Sequence, residues 1–223
     1  MGKSIRVRFQ VKETCRFISH LDKVRSFERA IRRAQLPIAY SQGFNRRPRF
    51  AFAQALPVGV TSDAEYADFH LTEYLEAERL KIALNQVLPS GFYVLEAVNL
   101  PARAEALMTI IQAAAYRIKL LEQASELPDK IGNLLAQKSI YIDKHTKKGS
   151  KQVNIRPWIY QLELNEDGTE LSLVCACGSQ GNLRPMDILE PLGLKLEEVL
   201  IHREALWIEM DPVRRTPIDI VGG

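Results

Sequence analysis

The residues best suited to chemistry in this chain lie close together in the sequence. His20, a candidate general acid or base, is followed by Arg25, Arg29, Arg32 and Arg33, and then by Tyr40-Ser41-Gln42-Gly43-Phe44-Asn45-Arg46-Arg47-Pro48-Arg49. Arginines hold phosphates, aromatic rings stack on unpaired bases, and amides read base edges. The assortment suits single-stranded RNA, with Phe44 or Tyr40 stacking, Gln42 and Asn45 reading, and the arginines on phosphate. From Arg16 to Gly59 there are nine Lys/Arg against Asp22 and Glu28, a net of +7, while the whole 223-residue chain is only +3. Everything else sums to −4, and a charge concentrated this way marks a surface for an anionic partner. A solvated basic helix is the competing reading.

An element must hold these groups. At about 100° per residue, Leu21, Val24, Phe27, Ile31 and Ala34 fall on one side of a helix and Arg25, Arg29, Arg32 and Arg33 on the other. Burial of the larger apolar members, about 1.5–3 kcal/mol each, docks that side and turns the arginines outward. Ser19 with Asp22 reads as a capping box that starts the helix, and Pro37 stops it. His20 falls in the first turn at the edge of the buried side, where a packed histidine bonded to a loop carbonyl is the alternative to a base, a donor or a ligand. Beyond the helix, Gly43 and Pro48 forbid regular structure, and Phe44 either stacks on a base or plugs the core.

The run RFISHLD, then FERAIRRA and LPIAYSQGFN, then LPVG and EYAD, resembles the radical SAM-linked family of uncharacterised bacterial proteins, which occur beside or fused to cobalamin-type radical SAM proteins. The likeness covers the first seventy residues or so closely. NIRPWI and GSQGNLRPMDIL echo it in the C-terminal half. The chain departs at Arg46-Arg47, where the family more often has Pro-His, so no loop histidine is carried over. The resemblance implies a radical SAM partner but no molecular activity.

Absences narrow the classes. The three cysteines, Cys15, Cys175 and Cys177, offer neither the closely spaced trio of a radical SAM cluster nor a C-x-x-C metal site, and read as packing residues. There is no phosphate-binding loop, no H-E-x-x-H and no dinucleotide fingerprint. His20, His70, His145 and His202 are scattered. No cofactor and no metal are expected. No apolar run spans a bilayer and no signal segment opens the chain, so the expected compartment is the cytoplasm.

Taken in order, Ile5, Val7, Phe9 and Val11 alternate with Arg6, Arg8, Gln10 and Lys12 as in a half-buried strand. After the helix, the pattern predicts strands over Arg49–Leu56 and Glu65–Thr72, a helix over Glu76–Val87 and a strand over Phe92–Val98. That order, β-α-β-β-α-β, is the ferredoxin-like unit, with helices on one sheet face. Arg6, Arg8, Tyr66, Asp68 and His70 would share the open face. There they contact RNA, or Asp68 neutralises an arginine and another part of the chain covers the sheet.

Past Leu100-Pro101-Ala102 the order recurs, with strands over Ala115–Leu121, Ser139–Asp143, Ile159–Leu164, Glu170–Cys177 and Val199–Glu209, and helices over Leu127–Gln137 and from Arg184. The expected fold is therefore α+β, with two tandem ferredoxin-like domains over residues 1–100 and 103–212 and a loose tail over 213–223. A basic hairpin inserted from Lys144 to Arg156 carries Lys147, Lys148 and Lys151 as second phosphate contacts or merely solubilising charges. The Gly178–Pro185 loop either offers N–H groups to a phosphate or is capped by Asn182.

The sequence thus points to a non-catalytic accessory that binds RNA or a ribonucleoprotein and works with a radical SAM partner, with RNA modification or processing as the candidate settings. The alternatives are metal-independent RNA cleavage with His20 as acid or base, and a module that meets only the partner protein.

Overall fold

Strand β1 (Ser4–Val11) forms where the period-two alternation places it, and its Ile5, Val7, Phe9 and Val11 are buried. The structure is a computed structural model that describes residues 3–146, 149–179, 181–210 and 213–219. Helix α1 (His20–Arg33) comes next. The Ser19 hydroxyl accepts the Asp22 N–H at 3.2 Å and donates to the Asp22 carboxylate at 2.7 Å, which satisfies one of the helix's free N–H groups.

The chain then forms β2 (Phe50–Phe52), β3 (Val60–His70), α2 (Ala77–Asn85), β4 (Phe92–Asn99), a short α3 (Leu107–Ile110) and β5 (Ala113–Leu120). It continues through α4 (Leu127–Ala136), β6 (Tyr141–Thr146), β7 (Gly149–Asn154), β8 (Ile159–Leu164), β9 (Glu170–Gly178), β10 (Gly181–Asn182), α5 (Leu189–Leu192) and β11 (Val199–Trp207). The architecture is mixed α+β on one large mixed sheet in the order β10-β9-β5-β11-β3-β1-β4, with β2 paired to β3 and β8 to β9.

Strand β3 is the seam of that sheet. It pairs with β1 along most of its length, with β2 over Ala67–Phe69, and with β11 in parallel over Val60–Ser62. Having two partners on one side explains two departures from expectation. β2 is confined to Phe50–Phe52 instead of Arg49–Leu56, and β3 begins at Val60 instead of Glu65. The two halves of the chain, on either side of Leu100–Ala102, therefore meet in continuous backbone pairing.

The helix docks by a stripe rotated from the predicted one. Lys23, Phe27, Ala30 and Ile31 are its buried residues, whereas Leu21 is 66 % exposed. Phe27 sets the rotation, with ring centroids 4.9 Å from Phe9, 5.1 Å from Phe52 and 5.7 Å from Phe92. Centred on Phe27, Leu21 lies about 120° round the wheel and Lys23 only about 40° away. Lys23 is 3 % exposed, with its stem against the core. Next to it, Arg203 on β11 donates to Glu65 on β3 at 2.8 Å and to the Tyr116 hydroxyl on β5 at 2.9 Å, tying three strands together under α1. Burial opposes the Arg203 charge, yet Glu65 and Tyr116 hold its pKa above the ordinary value.

On the other face of β1 and β3 the structure follows the second of the two readings: Asp68 neutralises an arginine and another part of the chain covers the sheet there. Arg6, only 1 % exposed, donates to both Asp68 oxygens at 2.7 and 2.9 Å and to the carbonyls of Glu105 and Pro217 at 3.0 and 3.1 Å. Tyr66 is buried beside them, and burial pushes its hydroxyl up to about 12. Arg8 pairs with Glu96, and the Ser4 hydroxyl meets His70 Nδ1 at 2.9 Å. Arg6 is thus committed to its carboxylate and carbonyls and is not presented to a phosphate. Residues 213–219, expected to be loose, help cover this face: Pro217 is buried and Arg215 pairs in backbone with Glu209.

The insertion also differs from expectation. β6 takes in part of the predicted Ser139–Asp143 strand and pairs with β7, not with the large sheet, from Tyr141↔Asn154 to Thr146↔Gly149. The hairpin thus begins before Lys144. Its tip, Lys147 and Lys148, lies outside the described residues.

Candidate nucleic-acid interface

Capping, rotation and the Phe27 anchor together decide what α1 presents outward. Arg25, Arg29, Arg32 and Arg33 are all exposed, as the wheel requires. They are not equivalent. Arg25 pairs with Asp22 at 3.1 Å, and the Ser19 hydroxyl with Arg25 holds the Asp22 carboxyl below its ordinary value. Arg33 donates to the Val87 carbonyl, which turns it toward α2.

The loop after the helix folds back as a small projection. Ser41 N–H donates to the Arg47 carbonyl at 2.9 Å, Arg47 N–H donates to the Ser41 hydroxyl at 3.0 Å, and Tyr40 bridges Pro48. Gly43 takes φ +112°, a left-handed value that side chains adopt only under strain, so a glycine is needed at the turn. At its tip Phe44 is fully exposed, which removes the core-plug reading. An exposed phenylalanine held on a backbone-braced loop has its ring faces free for stacking.

Between loop tip and helix runs an open groove of about 740 Å³ lined by Leu21, Val24, Arg25, Glu28, Arg32, Phe44, Asn45, Arg46 and Arg47. Of the predicted site residues, the structure therefore brings together Arg25, Arg32, Phe44, Asn45, Arg46 and Arg47. Arg29, Tyr40, Gln42 and Arg49 are exposed nearby but do not line the groove, and Arg33 is engaged elsewhere.

A second, apolar cleft of about 470 Å³ continues from it around the free edge of β2. It shares Val24, Glu28 and Arg47 with the groove and adds His20, Phe50, Phe52, Gln54 and Met108. His20 is exposed, not packed. Its ring stands edge-on to Phe52 at 5.9 Å and makes no hydrogen bond among the described residues. Sequence reasoning missed Glu28, Gln54 and Met108 as members of this surface. Glu28 carried a signal, being one of only two acids in a strongly basic stretch. Met108 carried none, since it arrives from α3 across the sheet edge.

Of the hairpin's other expected contacts, Lys151 is exposed, whereas Lys144 is engaged within the chain. Lys144 Nζ donates to the Asn182 carbonyl at 2.8 Å, lies 3.3 Å from Asp187 and sits over the Trp158 ring. In the Gly178–Pro185 loop Asn182 is not the cap: Gly181 and Asn182 form β10, and the Asp187 carboxylate accepts the Arg184 N–H at 3.1 Å. Cys15, Cys175 and Cys177 are free and buried, and burial raises all three thiols. Among the described residues no cluster of His, Cys, Asp or Glu could hold a metal, and no helix is long and apolar enough to cross a membrane.

Residues 4–185 match the family model described as an uncharacterized protein conserved in bacteria, DUF2344. The chain belongs to the DUF2344 family. No curated protein matches this DUF2344 chain. Among solved structures it is similar to a chain of the "Crystal Structure of a Cbf5-Nop10-Gar1 Complex", at 10% identity and a TM-score of 0.48. The match covers 99% of this chain and 54% of that one, so the chain spans about half the length of that protein. A likeness at this level carries no argument about activity.

Proposed function

We propose that this chain is a non-catalytic accessory that binds single-stranded RNA, alone or within a ribonucleoprotein, through the groove between α1 and the 40–49 loop. The observation that carries the reading is the convergence of Arg25, Arg32, Arg46 and Arg47 with a fully exposed Phe44 and with Asn45 along one groove. Cations on a braced helix face and loop supply phosphate contacts at little ordering cost, and the ring supplies a sequence-tolerant stacking platform. The proposed partner is a radical SAM protein, supported by the resemblance of the RFISHLD and LPIAYSQGFN runs. The architecture supports two tandem ferredoxin-like units fused edge to edge, because β4-β1-β3-β2 and β11-β5-β9-β8 both follow the strand order of that unit.

Cleavage by His20 has less support, since among the described residues no group hydrogen-bonds its ring and no second titratable side chain pairs with it. The protein-only reading draws on exposed Phe17, Leu21 and Val58 beside the basic face, a composition found at protein interfaces. Anisotropy titration of a short single-stranded RNA at low salt separates these readings. Wild type binds, an Arg25→Glu/Arg32→Glu variant binds at least about tenfold more weakly with unchanged circular dichroism, and the RNA stays intact. Absence of binding, with a radical SAM protein still copurifying after nuclease treatment, favours the protein-only module.

A further inference from the structure

The apolar cleft at the β2 edge is built differently from the arginine groove that it extends. Val24, Phe50, Phe52 and Met108 provide apolar walls, and Met108 is 61 % exposed across the cleft from α1. Apolar walls with a few polar groups at the rim suit a flat ring more than a phosphate. The rim groups are His20, Glu28, Arg47 and Gln54.

Glu28 is the informative member. In a surface that attracts phosphates, a carboxylate facing the same groove repels them. Asp22, the other acid of the basic stretch, is occupied by Ser19 and Arg25, whereas Glu28 has no hydrogen bond or ion pair among the described residues. A carboxylate is an acceptor only, so it complements a ligand edge made of donors. Guanine presents adjacent N1–H and N2–H donors. Uracil presents one N–H flanked by two carbonyl oxygens that a carboxylate repels.

We infer that the cleft between α1 and β2 receives one unstacked nucleobase of the bound RNA, and that Glu28 selects guanine over uracil there. Phe52 and Met108 flank the ring, Arg47 holds the adjoining phosphate, and the next phosphates continue onto Arg25, Arg32 and Arg46. The inference rests on the RNA reading above, since the same strand must occupy groove and cleft.

The test compares a short all-uridine RNA with the same RNA carrying one central guanosine, titrated on the full chain. The guanosine strand binds about tenfold tighter, the range of one good base contact. Glu28→Gln removes most of that preference. Ala51→Trp, at an exposed β2 residue lining the cleft, removes it while leaving the salt dependence of binding unchanged. Met108→Ala, which weakens the preference, serves if the tryptophan variant loses its circular-dichroism spectrum. Equal affinity for the two strands, or a preference that survives both cleft variants, overturns the inference while salt-dependent binding leaves the RNA reading standing. Free GMP that binds the cleft without any guanosine effect in RNA also overturns it, in favour of a free nucleotide. No binding of either strand removes the RNA reading itself.

Discussion

Replacing Arg32 and Arg47 by glutamine should change not only how tightly RNA binds but how binding responds to salt. Four arginines line the groove. If each neutralises one phosphate of a single strand, log K falls with log salt at a slope of about −0.7 per contact, or about −2.8 in total, so raising salt from about 50 to about 200 mM weakens binding by about 50-fold. The double variant keeps Arg25 and Arg46. Its slope should fall to about −1.4 and its loss over the same range to about sevenfold. Both side chains are exposed, so the fold should be unaffected. Anisotropy titrations at several salt concentrations give both slopes, with circular dichroism as the control. An unchanged slope in the double variant means these arginines do not sit on phosphate, and the groove assignment is wrong even if RNA binds.

The scaffold sets further outcomes. Phe27→Ala should cost about 3–5 kcal/mol in denaturant unfolding, because the ring is fully buried among those of Phe9, Phe52, Phe69 and Phe92. Glu65→Ala should cost about 3–5 kcal/mol by leaving the Arg203 charge buried, and the Glu65→Leu/Arg203→Met pair should recover much of it. Burial lowers the Lys23 pKa below 10.5, so the unfolded chain holds that proton to higher pH. Stability therefore rises with pH between the folded value and 10.5, and Lys23→Met should flatten that rise and hold or raise Tm at neutral pH. Burial, with Arg49, likewise lowers His70 below 6.5; stability should fall as pH drops from 6.5 through its folded value, and His70→Gln should shrink that fall.

What could be read from residues alone was local. The alternation of Ile5 to Val11, the Ser19–Asp22 cap and the Phe27–Ile31 spacing each express a preference within a few residues, and each has its element. The outward arginines followed from those same preferences. The closed face was legible only as one of two alternatives, since Arg6 and Asp68 are 62 residues apart and Pro217 is 211 residues from Arg6. A basic residue in an alternating strand looks the same whether it meets water or a carboxylate. Lys23 was hidden for a related reason: wheel angle places a residue on the buried side, but type argued against it. Leu21 was misplaced because the long-range contacts of Phe27 rotate the buried stripe, and His20 because its neighbour is Phe52 on the edge strand β2, 32 residues away.

The measurement that tests the RNA assignment most directly is ultraviolet crosslinking in the native cell, with mass-spectrometric mapping of nucleotide-bearing peptides from this chain. Crosslinks are expected at Phe44 and its loop neighbours, and on the His20–Arg33 helix, all lost when Arg32 and Arg47 are replaced. Nucleotide-bearing peptides confined to the β5–β9 half, or none at all from a chain recovered in good yield, would contradict RNA binding through the groove.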